Sequence, residues 1–158
     1  MITIKPIQEH ITKDYSFKPI IYKNSSHTNV STLHWHTNAE ICYITEGQCS
    51  FIINGISFVA QKGDVVVINS GQIHQFVYKD DCTIIVCTSN PMFFYNLKIN
   101  INAILHHITK KELENAGIAT NVTNCFEIMG REINVENKYS EIIFKANLLE
   151  LYGMLLKH

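Results

Sequence analysis

Four side chains in this 158-residue sequence have the types and spacing for chemistry: His34, His36, Glu40 and His74. His34 and His36 flank Trp35, so in an extended chain both imidazoles point to one side and the indole to the other. Glu40 follows after a short offset and is placed to open the next strand. His74 opens a later strand, after a turn built around Gly71. Three imidazoles and a carboxylate converging in a small barrel suit a divalent transition metal such as Zn, Ni, Fe or Mn, and also Cu. The same donors, free of metal, could hydrogen-bond a polar organic molecule, or simply satisfy one another. The residues leave all three possibilities open.

The elements that must position these groups are short and β-rich from about Ile20 to Thr88. Asn54-Gly55 between two apolar runs predicts a two-residue type I′ hairpin, whose central residues both need positive φ. Glu46-Gly47, Lys62-Gly63-Asp64 and Tyr78 to Cys82 mark further turns. The β-branched run Val65-Val-Val-Ile68 is too short and stiff for a helix. Strands of this length, joined by glycine turns, predict an antiparallel sandwich or barrel.

Past Pro91 the apolar residues recur at helical intervals. Ala103, Ile104, His107 and Ile108 suggest a short helix; Val122, Phe126, Ile128, Met129 and Ile133 suggest a second. The last is the most regular, with Ile142, Ile143, Ala146, Leu149, Tyr152, Leu155 and Leu156 at three- and four-residue steps. Asn137 and Ser140 are candidate caps, with Glu141 favourable in the first turn. Phe144, Leu148, Leu151 and Met154 lie off that stripe, so the helix is apolar on more than one face. A second copy of the chain is the expected cover, and Ile143, Leu148, Leu151, Tyr152 and Leu155 are the candidate dimerisation residues.

Composition bounds the function. Hydrophobic residues make up 46% and charged residues 17%, a globular balance for one domain. The net charge of −1 argues against direct nucleic-acid binding by these residues, which needs clustered Lys and Arg. The N-terminal stretch through Phe17 lacks a signal-peptide core, and no run approaches the ~20 apolar residues that span a bilayer. Five cysteines without a CxxC pair suggest reduced thiols and a cytoplasmic protein.

The two chemistry-bearing stretches closely resemble the two cupin motifs. His34, His36, Glu40 and Gly47 match HxH, three or four residues, E, six residues, G. Gly63, Gly71 and His74 match the second, with Asn69 where Pro is usual, Tyr78 where the motif ends in Asn, and Thr28 where a Gly precedes. The wording HWH…EICYITEG…FIINGISFVAQKGDVVVINSGQIHQF is similar to the sensor domain of AraC-type transcriptional regulators. That resemblance implies a mainly β fold, a cupin double-stranded β-helix (jelly-roll barrel) followed by a C-terminal α-helical hairpin. It implies residues 1–95 as effector-binding barrel with N-terminal arm, and 96–158 as a dimerising helical segment of the same structural unit. It further implies a small-molecule effector of unknown class, a homodimer, no membrane, and DNA contact only through a helix-turn-helix domain. Such a domain needs about a hundred more residues and is expected to lie outside this chain.

Strand alternation places Cys42 and Ile44 on the face of Glu40, and Phe76 and Tyr78 on the face of His74. These four are the expected pocket wall. Trp35 and Tyr43 are further candidates for stacking a ligand, although barrel aromatics are more often core. His10, His27, His106 and His107 are expected to be structural. The alternative function is a small free-standing metal-dependent dioxygenase or isomerase using the same four ligands. No catalytic residue is assigned, and only Tyr43 and Tyr78 stand out as candidate proton-transfer groups.

Overall fold

The computed structural model describes residues 6–9, 19–23, 29–78, 81–132 and 139–158. Expectations that fall on His10, His27, Thr28, Ile133 and Asn137 lie outside them. The described strands are β1 (Ile7–Gln8), β2 (Pro19–Lys23), β3 (Asn29–Val30), β4 (His34–Trp35), β5 (Ala39–Glu46) and β6 (Gln48–Ile53). They continue with β7 (Ile56–Gln61), β8 (Val65–Ile68), β9 (His74–Tyr78), β10 (Thr83–Ser89) and β11 (His107–Ile108). One sheet runs β1-β4-β9-β6-β7, with β3 also on β9; the other runs β11-β8-β5-β10-β2. The chain is a jelly-roll β-barrel of the cupin type, carrying helices on one side.

Local chemistry accounts for the turns. Asn54 and Gly55 have φ of 49° and 83°, as a type I′ hairpin requires, and they close β6 on β7 with Ile53 opposite Ile56. At Gly47, φ is 69° and an added Cβ would sit 2.6 Å from the Asp81 carbonyl oxygen. Only glycine lets the β5–β6 turn lie against the start of β10 so closely.

Two apolar clusters share the second sheet. Inside the barrel lie Cys42, Ile44, Phe51, Ile53, Val66, Ile68, Phe76, Ile84 and Val86. Outside, Ala39, Ile41, Tyr43, Val65, Val67, Ile85 and Cys87 face the helices. The central strands are therefore buried on both faces, which explains near-continuous apolar runs such as Val65–Ile68.

The helices are α1 (Pro91–Asn96), α2 (Lys110–Asn115), α3 (Ala119–Arg131) and α4 (Ser140–Lys157). The two more regular helical patterns correspond to α3 and α4, which contact one another as a hairpin-like pair. Helices α1 and α2 are too short to show a periodic pattern, but both have legible caps. Asn90 Oδ1 accepts from Met92 N at 2.9 Å ahead of α1, and Thr109 and Glu112 form a reciprocal capping box on α2. The helix expected over 103–108 does not form. A single 3₁₀ turn, Ile101–Ala103, is followed by β11, which pairs His107 with Val66 and Ile108 with Val65. The open edge of β8 offers unpaired backbone groups, and β-branched Ile108 completes the ladder there. The expected cap Ser140 is instead the first residue of α4.

The expected stripe on α4 is also corrected. Phe144, Leu148, Leu151, Tyr152 and Leu155 are buried against the chain's own sheet and α3. Four of the five candidate dimerisation residues, Leu148, Leu151, Tyr152 and Leu155, are thus core. Ile143 alone stays on the surface, 38% exposed, beside the exposed Ile142 and Leu156. A helix apolar all round offers two competing stripes, and the one at 144, 148, 151 and 155 fits the barrel wall.

Candidate functional site

The mouth of the barrel is assembled from three strands. His34 and His74 are direct partners across β4 and β9. The turn before His74 is stitched to the loop after His36: Gly71 N donates to His36 O at 2.8 Å, and Ser70 Oγ to Thr37 O at 2.7 Å. At Asn69, where cupins usually carry proline, the backbone N–H donates to Gln72 Oε1 at 2.7 Å. Proline could not make that bond, so here a side chain closes the turn. Gln72 Nε2 then donates to His106 Nε2 at 3.1 Å, and His106 Nδ1 donates to Val67 O at 3.1 Å. His107 binds Asp64 Oδ2 at 2.8 Å and stacks on Phe58. These two histidines tie β11 to the barrel.

All three mouth imidazoles are oriented in the same way. Nδ1 donates to a carbonyl two residues away: His34 to Thr32 O at 2.6 Å, His36 to Asn38 O at 3.0 Å, His74 to Gln72 O at 2.8 Å. This fixes the proton on Nδ1 and turns each Nε2 toward the others, the arrangement that backbone carbonyls impose on metal-binding histidines. One ligating atom from each lies within 4.8 Å of the other two. Ring centroids are 4.2 Å apart for His34 and His74, and 4.9 Å for His36 and His74.

Glu40 reaches in from β5. Its Oε1 is 3.1 Å from His36 Nε2 and its Oε2 3.8 Å from His74 Nε2. The second distance is too long for a hydrogen bond, and among the described residues His74 Nε2 is buried without a hydrogen-bond partner. Burial is the largest influence on Glu40 and pushes its carboxyl up, but the bond to His36 and the charges of the three imidazoles together hold it below its ordinary range. Burial pulls His36 down, and the contact with Glu40 outweighs it, leaving it raised. His74, whose burial is less compensated, is lowered. A buried imidazole nitrogen left without a hydrogen-bond partner among the described residues, beside a carboxylate, fits a divalent cation.

Of the expected pocket wall, Cys42, Ile44, Phe76 and Tyr78 all belong to or pack on the interior cluster. Cys42 and Phe76 form the layer next to the mouth. Ile44 and Tyr78 lie four residues along their strands, about 13 Å from Glu40 and His74, and belong to the far end of the core. Tyr43 is on the other side of the sheet altogether. It stacks on Phe126 and its hydroxyl shares a 2.8 Å hydrogen bond with Thr123 Oγ1, so it is no ligand-stacking or proton-transfer group.

One residue was missed. β1 runs parallel to β4 with Ile7 beside His34, and Glu9 Oε2 lies 3.2 Å from His34 Nε2. No spacing in the sequence signals it, because the strand is two residues long and pairs in parallel.

Residues 19–151, barrel and helices together, match the AraC-like ligand binding domain family. The chain belongs to that family. It is 32% identical over 96 residues to the HTH-type transcriptional regulator YdeC of Bacillus subtilis (strain 168), covering 57% of this chain and 32% of YdeC. This AraC-like domain thus spans about a third of that relative's length. Among solved structures, ToxT from Vibrio cholerae shares the fold, with a TM-score of 0.51 and 15% identity, over 90% of this chain and 57% of ToxT. An RmlC-like cupin from Shewanella frigidimarina NCIMB 400 aligns at a TM-score of 0.44 and 17% identity, over 48% of this chain and 68% of its own. Among the described residues no helix is long and apolar enough to cross a membrane.

Proposed function

We propose that this AraC-like domain is the effector-sensing part of a transcriptional regulator. The reading is that it binds a small molecule at the barrel mouth, with His34, His36, Glu40 and His74 holding a Zn, Ni, Fe or Mn ion as part of the site. The observation that carries it is the convergence of three Nε2 atoms whose Nδ1 partners are all backbone carbonyls, beside the family match. An ion held by these side chains would act as a Lewis acid toward an oxygen or nitrogen donor of the effector. The chain's own part is to hold the imidazoles in one tautomer and to keep water from the Cys42 and Phe76 layer beneath.

Occupancy is transmitted in this proposal through the turn 69–72. Gln72 links the carbonyl that orients His74 to His106, and thereby to β11 and α2. An effector that prefers one arrangement of this turn shifts the population of the helical side by its differential affinity alone. The outward face of α4 at Ile142, Ile143 and Leu156 suits a homodimer, and a helix-turn-helix domain would read DNA. Five buried, unpaired cysteines suit a reducing cytoplasm.

The enzyme alternative, a metal-dependent dioxygenase or isomerase, has less support, because Tyr43 faces the helices and Tyr78 sits at the far end of the interior. Metal analysis and thermal-shift titration with Zn²⁺, Ni²⁺, Fe²⁺ and Mn²⁺, followed by sugars, organic acids and small aromatic compounds, test the proposal. Stabilisation by one effector class, lost in His74→Ala, is the expected result. Turnover of the stabilising compound would transfer the site to the enzyme reading.

A further inference from the structure

We propose that Cys49 and Cys82 are a reversible oxidation site at the end of the barrel away from the mouth, joined by a disulfide when hydrogen peroxide reaches Cys82. The pair is remote from the histidine cluster, and nothing about it depends on a metal there.

Strand geometry brings the two sulfurs together. Along β6 the inward positions are Cys49, Phe51 and Ile53, all buried. Ile53 is opposite His74 at the mouth, whereas Cys49, four residues back, is opposite Tyr78. Cys49 therefore lies about 13 Å along the strand from the mouth. Cys82 arrives from the other sheet. Thr83 pairs with Glu46 at the end of β5, so Cys82 comes in beside Gly47. An added Cβ on Gly47 would be 3.0 Å from the Cys82 Cα. Gly47 turns β5 into β6 with Cys49 two residues on, and both cysteines pack in the interior cluster. The Cys49 thiol has two acceptors within reach, the Val77 carbonyl oxygen at 3.4 Å and the sulfur of Cys82.

Their surroundings make the two thiols unequal. Hydrogen bonding from Cys49 holds Cys82 below the ordinary thiol range, although burial opposes it. Cys49 is pushed up by the same contact and by burial. Burial raises Cys42, Cys87 and Cys125 as well, so Cys82 alone of the five is biased toward thiolate, the nucleophilic form. Asp81 before it is exposed, which puts Cys82 one residue from solvent. The Cys82 thiolate attacks one oxygen of hydrogen peroxide; the O–O bond breaks and hydroxide leaves with the bonding pair, giving a sulfenic acid. The Cys49 sulfur then displaces that hydroxyl, which departs with the Cys49 proton as water. Two thiols are oxidised and one peroxide is reduced to two waters. The new bond ties β6 in one sheet to the residue before β10 in the other, and it closes the chain between Cys49 and Cys82 into a loop.

The reduced 158-residue chain is treated with hydrogen peroxide, alkylated in denaturant and mapped by mass spectrometry without reduction, as wild type, Cys82→Ala, Cys49→Ala and Cys87→Ala. The expected wild-type result is loss of two of the five alkylatable thiols, a linked pair of peptides carrying Cys49 and Cys82, and return of both thiols with dithiothreitol. The oxidised form should also unfold at higher denaturant than the reduced form, because the cross-link restricts the unfolded chain. Cys82→Ala should lose thiols about tenfold more slowly. Cys49→Ala should instead leave a sulfenic acid at Cys82 that dimedone labels, and Cys87→Ala should behave as wild type. The wild-type map decides even where a variant folds poorly. Retention of all five thiols, or a link from either cysteine to Cys42, overturns the pair. Cys82→Ala oxidising at the wild-type rate overturns the assignment of Cys82 as the attacking thiol.

Discussion

The two faces of β5 carry different chemistry on one short strand. Glu40, Cys42 and Ile44 face the barrel interior, polar at the mouth and apolar below; Ala39, Ile41 and Tyr43 face the helices and are apolar throughout. β8 repeats the division, with Val66 and Ile68 inside and Val65 and Val67 outside. In the other sheet, among the described residues, Ile56 and Val59 on β7 are exposed. A shift of β7 can therefore relax into solvent on that side. A shift of β5 cannot, because close-packed helices lie one residue away on the opposite face. The helix-backed sheet is the part of this domain suited to relaying occupancy of the mouth.

Breaking the helix side should produce the largest effect on stability. Phe126 is fully buried, stacked on Tyr43 at 4.9 Å. Phe126→Ala should cost about 3–5 kcal/mol, read as a lower denaturation midpoint. Metal affinity of the protein that remains folded should be close to wild type, since the mouth lies across the sheet. A comparable loss of metal affinity would mean that the two faces are not separable.

Breaking the mouth side should do the reverse, with a smaller cost in stability and a loss of binding. Glu40→Gln keeps the shape but removes the charge, with an expected cost of about 1–3 kcal/mol in the metal-free protein and a change of its pH dependence. Glu40 is depressed in the folded state, so its contribution is present above its ordinary value of 4.5 and is lost as pH falls through the folded value. His36 is raised, so its contribution is complete below 6.5 and is lost as pH rises through its folded value. His74 is lowered by burial, so stability falls as pH drops below 6.5. Denaturant midpoints with a chelator present should decline above pH 6.5 in the wild type. In Glu40→Gln that alkaline decline should vanish, because burial then acts on His36 without the compensating carboxylate. An unchanged alkaline limb would show that the His36–Glu40 contact does not govern it.

The same division explains what was legible in the sequence. The mouth depends on period-two alternation and fixed turns, and His34, His36, Glu40 and His74 follow from them directly. Asn54-Gly55 gave its hairpin for the same local reason. The helical side depends on which apolar stripe wins a packing contest, and α4 presents two. The stripe at Ile142, Ala146 and Leu149 was as periodic as the one at Phe144, Leu148 and Leu151 that the sheet selects. Residues 103–108 failed because β11 is made by the vacant edge of β8, a tertiary cause with no local signal. α2 is legible only through its capping box, Thr109 and Glu112. Glu9 was not, because a two-residue parallel strand leaves no periodic trace.

A third substitution probes the link between the faces. Gln72 closes the turn before His74 and binds His106, and both bonds are lost in Gln72→Ala. The expected cost is about 1 kcal/mol, with metal still bound. Hydrogen exchange at Ile108 and across α2 should then cease to respond to metal, while it responds in the wild type. A preserved response would move the relay from this turn to the body of β5.

The smallest effect on folding should come from the outward face of α4, which is what makes it informative. Ile143 is 38% exposed and its neighbour Ile142 is 62% exposed, so neither contributes much to the chain's own core. Ile143→Ser should change the denaturation midpoint by no more than about 0.5 kcal/mol. If this face is covered by a second copy, sedimentation equilibrium should show a wild-type dimer dissociating at least tenfold more readily in the variant. Leu148→Ser, on the buried stripe, should instead unfold the domain, because a hydroxyl would be enclosed in the helix–sheet core without a built partner. A wild type that stays monomeric at high concentration would remove the dimer while leaving the assignment of the buried stripe intact. Loss of folding in both variants would mean that α4 has no outward face, and that the separation of core from interface along this helix is wrong.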